Sequence, residues 1–146
     1  MTMKFSSEIT INRPRQQVVA LITDSGNTAK WQPGVKSIEL LSGEKDQLGA
    51  RSRVMFEFNG LQLEVIETVI ERSPPERFAS SFETRGVRNT VVNRFYETAP
   101  GQTRWIMDNA FDFNRAMSVV AFLIRSVISK QTAQSMKQFK AFAESN

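Results

Sequence analysis

Apolar and polar positions along this chain change period twice, and the changes divide it into four parts. From Lys4 to Asn12 the pattern alternates, with Phe5, Ser7, Ile9 and Ile11 on one side and Lys4, Ser6, Glu8 and Thr10 on the other, which predicts a half-buried strand. Asn12 or Arg13 can then cap a helix. Pro14 suits its first turn, and Val18, Val19, Leu21 and Ile22 supply an inward face up to Thr23. Asp24, Ser25, Gly26 and Asn27 break that helix, and a short turn or second helix leads to Trp31, Pro33 and Gly34.

From Val35 onward turn residues recur at the spacing of an antiparallel meander. Strands are expected at 35–42, 50–59, 61–73, 77–85, 87–97 and 103–113, so the predicted total with the first is seven. The turns fall at Ser42-Gly43, Asn59-Gly60, Ser73-Pro74-Pro75, Arg85-Gly86 and Ala99-Pro100-Gly101. Asn59-Gly60 is the strongest of them, because both residues tolerate positive φ in a two-residue hairpin. Within the strands Val54, Phe56 and Phe58 share a face, as do Phe78, Ser80, Phe82 and Thr84, then Val91, Asn93 and Phe95, and finally Trp105, Met107, Asn109, Phe111 and Phe113. The opposite faces carry Arg53, Glu57, Glu83, Arg85, Arg88, Arg94, Arg104, Asp108 and Asp112, a solvated side. The strand from Leu61 to Arg72 has no single reading: Leu63, Val65 and Val69 compete with Ile66 and Ile70 for the inward face.

The last part, Ser118 to Ala143, has neither Gly nor Pro, and Val120, Ile124, Ile128, Thr132, Met136, Phe139 and Ala143 recur at helical spacing. At 1.5 Å per residue this helix spans roughly 40 Å, the width of a small domain. Its halves differ. From Ala116 to Ile128 nearly every position is apolar, which calls for cover on more than one side, whereas the rest is an ordinary one-sided stripe. A sheet apolar on one face has to bury that face, and this helix is the large candidate to cover it.

Composition narrows the function classes. The 146 residues fit one domain, and 40% hydrophobic with 23% charged is the profile of a globular chain. Without cysteine there is no disulfide, thiolate nucleophile or sulfur metal ligand, a pattern at ease in a reducing cytoplasm. The start, MTMKFSSEIT, has no apolar signal region, and the longest apolar run falls short of the roughly twenty residues of a membrane span. A cytoplasmic, unprocessed chain with no stable membrane insertion is expected. The net charge of +4 comes from scattered basic pairs rather than a basic block, so no nucleic-acid partner is expected.

Absence of histidine removes the commonest general base and, with cysteine, the usual nitrogen and sulfur metal ligands. The glycines stand singly at turns, so no phosphate-cradling loop can be read. No catalytic residue, metal or cofactor is assigned. Asp108, Asp112, Glu64, Glu67 and Glu71 read as surface or edge charges beside Arg94 and Arg104.

The order of elements and several strings resemble the START-like, or SRPBCC, superfamily of helix-grip proteins, which includes the polyketide cyclase/dehydrase and lipid-transport family. The strings are Asn12-Arg13-Pro14 with Val18, the Asp24 to Trp31 segment before Pro33-Gly34-Val35, and Pro74-Pro75 with Phe78. Further along come Thr103-Arg104-Trp105 and the closing Lys130-Gln131, Met136, Phe139-Lys140 and Ala143-Glu144. The resemblance covers nearly the whole chain. It implies an α+β helix-grip fold: a seven-stranded curved antiparallel sheet around the long C-terminal helix, two short helices between strands 1 and 2, and a hydrophobic cavity between sheet and helix.

Against that fold, Trp31, Phe56, Phe58, Phe82, Asn93, Phe95, Trp105, Met107, Asn109, Phe111, Val120, Ile124 and Ile128 are the expected ligand-binding positions. For the aromatics the alternative is a closed, dry core. For Asn93, Asn109 and Thr84 it is a hydrogen bond to a neighbour, and for Trp31, expected at the pocket mouth, it is a packing anchor. Binding or transport of a lipid-like or polycyclic molecule is the leading expectation. A cyclase or dehydratase acting on a poly-carbonyl substrate comes second, with the lack of an evident inward acid against it. A third is a partner surface, including a homodimer, formed by Val119, Phe122 and Leu123.

Overall fold

A computed structural model describes residues 2–58 and 60–146. The chain runs β1 (Thr2–Ile11), α1 (Arg15–Thr23), a 3-10 turn (Ser25–Asn27), α2 (Thr28–Trp31), β2 (Val35–Ser42), β3 (Arg51–Phe58), β4 (Leu61–Ser73), β5 (Arg77–Thr84), β6 (Val87–Ala99), β7 (Gln102–Phe113) and α3 (Arg115–Glu144). All pairings are antiparallel and the seven strands form one sheet in the order β1-β7-β6-β5-β4-β3-β2. The expected helix-grip architecture is therefore present, with α3 gripped on the concave face. Of the Asn59-Gly60 turn, Asn59 lies outside the described residues; Gly60 has φ 81°, as such a turn requires.

Register decides which side chains share the concave face. On β7 these are Thr103, Trp105, Met107, Asn109, Phe111 and Phe113, opposite Phe95, Asn93, Val91, Asn89 and Val87 of β6 and Ile11, Ile9, Ser7, Phe5 and Met3 of β1. The acidic and basic residues alternate with them and form ladders on the convex face: Arg94 to Asp108 at 2.6 Å, Arg104 to Glu8 at 2.6 Å, and Arg53 to both Glu39 and Glu64.

α3 packs chiefly on β1, with further contacts to β7, α1 and α2. Its second half carries the main core. Phe139, Met136 and Ala143 close with Ile11, Val18, Val19, Trp31, Phe95 and Trp105 into one cluster. There the Phe139 ring meets Trp31 edge-on at 5.2 Å and Trp105 at 5.4 Å. The tail is tied to the start of the chain: the Asn12 backbone N–H donates to the Glu144 carboxylate at 2.7 Å, and the Arg13 guanidinium donates to the Glu144 carbonyl.

The first half of α3 is held differently. It starts three residues before the predicted Ser118, because Asn114 caps it by accepting from the Met117 N–H at 3.0 Å. The Asn114 N–H in turn donates to the Gly86 carbonyl, and a Cβ on Gly86 would stand 2.7 Å from the Met117 side chain, so the β5–β6 turn fits against the helix start only as glycine. Met3, Phe113 and fully buried Ala121 form a second, smaller cluster, with Phe5, Val87, Phe111, Met117 and Ile128 against it.

Cover on several sides, expected for this half, is not what the fold provides: Val119, Phe122 and Leu123 are 70%, 74% and 71% exposed. The buried line also differs by one position from the predicted stripe. Ala121, whose small side chain lets the helix approach the sheet, takes the inward place, and Val120 lies at the margin.

Candidate functional site

β3, β4 and β5 extend the concave face beyond the part of the sheet on which α3 chiefly packs. Their inward residues run from buried Val54 and Ser80, through half-buried Phe56, Phe58 and Phe82, to exposed Leu61 and Leu63. Phe56 and Phe58 stand opposite Leu63 and Leu61, and Phe82 lies between Glu67 and Asn89. Met107 packs against the main core, and Phe111 and Ile128 pack against the second cluster, so the part of the concave face with least cover is that of β3, β4 and β5.

The sequence-predicted positions separate into two sets within this architecture. Trp31, Phe95 and Trp105 are packed in the main core around Phe139. Asn93 belongs with them, since its Oδ1 accepts from the Trp105 indole N–H at 2.9 Å, a buried bond that satisfies both groups. The others lie along the rest of the concave face and α3: Phe56, Phe58 and Phe82 are half-buried on β3 and β5, Met107 packs against the main core, Phe111 and Ile128 pack against the second cluster, Asn109 is buried on β7, Ile124 is half-buried, and Val120 is 37% exposed. Thr84, at the end of β5, donates to the Glu64 carbonyl.

Asn109 differs from Asn93 in having no partner. It is 5% exposed and its Nδ2 receives no acceptor, and across the β6–β7 ladder the Asn89 Oδ1 is likewise buried without a donor. An unmade hydrogen bond on a buried amide costs about 1–3 kcal/mol, so the seam formed by these two residues is a place where a bound polar group would be favourable.

Glu67 extends this seam, and the sequence did not reveal it. On β4 it pairs with Ser52 on one side and Phe82 on the other, so its side chain shares the concave face. The carboxylate accepts from the Ser80 hydroxyl at 2.8 Å and makes no ion pair among the described residues. Burial pushes its pKa above the usual carboxylate range and the like charge of Asp46 adds to this, while the Ser80 hydrogen bond opposes it. The concave face thus has the inward acid whose lack told against cyclase or dehydratase chemistry. Asn89, also outside the expected set, was legible in principle, since it continues the Val91, Asn93, Phe95 parity by one step.

Two open hollows are present among the described residues. One is at β1, β6 and β7, lined by Lys4, Phe5, Ser6, Thr90, Val92, Asp108, Asn109 and Ala110, and the other lies between α2 and the end of α3. Among the described residues no group of three or more carboxylates is placed to hold a metal ion, and no helix is long and apolar enough to cross a membrane.

The same arrangement of sheet and helix occurs in solved structures. A START superfamily protein from Mycobacterium smegmatis superposes with a TM-score of 0.83 at 12% identity, covering 97% of each chain. The Zhui aromatase/cyclase from Streptomyces sp. R1128 gives 0.82 at 13% identity over 99% of this chain and 94% of that one. Ara h 8.0201 gives 0.78 at 16% identity over the full length of both. At such identities these likenesses concern the fold. No curated protein matches the chain in sequence. The profile of one family does match, and over residues 2–144: the chain belongs to the polyketide cyclase / dehydrase and lipid transport family.

Proposed function

We propose that this protein binds an apolar small molecule, lipid-like or polycyclic, in the groove between the concave face of the sheet and the first half of α3. The observation that carries the reading is Asn109: a buried amide whose Nδ2 lacks an acceptor, on a face otherwise built of Phe56, Phe82, Met107 and Phe111. A side chain that served packing alone would cost less as leucine, whereas a ligand carbonyl or hydroxyl would satisfy it. The half-buried state of the surrounding aromatics points the same way, because a molecule in the groove would remove further apolar surface from water at about 25 cal/mol per Å².

Native mass spectrometry of protein purified without detergent, together with titration by the neutral dye Nile red, tests this. Co-purified mass or saturable dye uptake is expected. A protein that carries nothing and takes up no neutral apolar probe would end the proposal.

A second reading rests on a different observation, the exposure of Val119, Phe122 and Leu123 on one face of α3. A contiguous apolar patch of this kind is characteristic of a contact surface, here between two copies of the chain. Concentration-dependent sedimentation that Phe122→Asp abolishes is its expected signature, and a monomer at every concentration removes it.

A further inference from the structure

We infer that Glu67 is the polar recognition point of the groove, and that it selects apolar ligands whose polar end is an uncharged hydroxyl or carbonyl over ligands that end in a carboxylate. This rests on the groove being the binding site.

The argument begins with the three acids of β4. Glu64 and Glu71 point to the convex face, where each meets an arginine, Arg53 at 3.1 Å and Arg77 at 2.8 Å. Glu67 alone turns inward, and its one polar partner is the neutral Ser80 hydroxyl. A desolvated carboxyl without a counter-charge gains little for the fold and costs desolvation energy. The position therefore makes sense for what it offers to the groove rather than for what it contributes to packing.

What it offers follows from its bonding. Oε2 is engaged by Ser80, and Oε1 receives no hydrogen bond among the described residues. As a carboxylate the free oxygen accepts a ligand hydroxyl; protonated, the group donates to a ligand carbonyl. The raised pKa makes the protonated form accessible closer to neutrality than for an ordinary glutamate.

In its ionised form the group disfavours a ligand carboxylate. Two anions would share one partly desolvated site, and the charged group that already bears on Glu67 is another acid, Asp46. Among the described residues no arginine or lysine takes part in an ion pair with it. Across the sheet, Asn89 and Asn109 lie two and three strands away, about 10 and 14 Å at the usual strand spacing. The full seam is thus matched to an elongated neutral molecule with oxygen functions near both ends.

The test compares probes that differ in the polar end alone. At pH 7, calorimetric titration with 2-naphthol and 2-naphthoate is run beside Nile red, which reports the groove without donating a hydrogen bond. Wild-type protein is expected to bind 2-naphthol about tenfold tighter than 2-naphthoate, the scale of one hydrogen bond to a charged group. Glu67→Gln keeps the shape and removes the charge, so it should raise affinity for 2-naphthoate and close most of that gap. Ser80→Ala, which leaves the carboxyl in place, should keep the gap open.

Equal binding of the two naphthyl probes by wild-type protein, or an unchanged ratio in Glu67→Gln with Nile red still bound, overturns the role of Glu67 while leaving the groove. If Nile red is not bound either, the groove reading fails and this one fails with it.

Discussion

The two halves of α3 are one continuous helix and do opposite things. Around the second half, Phe139, Trp105, Phe95, Ile11 and Val18 are sealed from water, rings meet edge-on, and the helix end is tied to Asn12 and Arg13. The first half meets the sheet through a narrow line centred on Ala121 and leaves Phe122 and Leu123 in solvent. The difference shows how one fold can pack one end densely so that the other need not close. Core density at one end makes up for apolar groups and a carboxyl at the other that gain little for stability.

The largest expected effect lies at the sealed end. Phe139→Ala removes a ring in contact with both tryptophans and should destabilise the protein by about 3–5 kcal/mol, measured by urea denaturation. A loss below 1 kcal/mol would mean that this end is no better packed than the other. The paired and orphaned amides give the same contrast at single-residue scale. Asn93→Leu strands the Trp105 indole N–H and is expected to cost about 1–3 kcal/mol, whereas Asn109→Leu removes a group with no partner and should be neutral or stabilising. If both cost alike, Asn109 is already satisfied and the seam loses one of its ends.

Glu67 supplies a smaller effect with a defined sign. Its folded-state pKa is raised, so the unfolded chain releases the proton more readily, and the penalty for holding the group in the fold appears as pH rises through the folded-state value. Stability tied to this group is fully present below the ordinary glutamate pKa and is lost toward neutrality. Glu67→Gln should therefore be more stable than wild type at pH 7, with the advantage shrinking as the solution is acidified below the usual carboxylate range. Glu144, held low by the Asn12 N–H and by Lys140, has the opposite sign, so its contribution is lost on acidification. An advantage of Glu67→Gln that grows at low pH would contradict burial as the cause.

The strands and their facing were readable because period-two alternation survives wherever the ladder is regular, as on β6 and β7. On β4 the inward row is Leu63, Val65, Glu67 and Val69, so the acid interrupts the apolar pattern of its own row while Ile66 stands on the convex side. Between Val69 and Glu71 the β4–β5 ladder shifts register at Ile70, which returns Glu71 to the convex side. That is why Leu63, Val65 and Val69 seemed to compete with Ile66 and Ile70, and why an inward acid went unread. The incomplete cover of the concave face was hidden for another reason. Apolar spacing records that a helix face wants cover, and the run from Ala116 to Ile128 cannot state that the sheet covers only its Ala121 side. Likewise Trp31, Phe95, Phe56 and Phe82 have the same character in sequence, and only long-range packing against Phe139 separates the first two from the others.

The smallest expected effect belongs to Phe122, and it sharpens the comparison most directly. Its ring is 74% exposed and contributes to neither core cluster, so Phe122→Asp should change folding stability by no more than about 0.5 kcal/mol, against several for Phe139→Ala. Because the residue is turned about 100° around the helix from Ala121 and faces solvent, Nile red uptake should also be unchanged. A cost above 2 kcal/mol would show that this face is covered in solution, by a second copy or by the groove closing over it. Unchanged stability with diminished uptake would instead make Phe122 part of the entrance through which the ligand passes, and would extend the groove around the edge of α3 to the side that faces water.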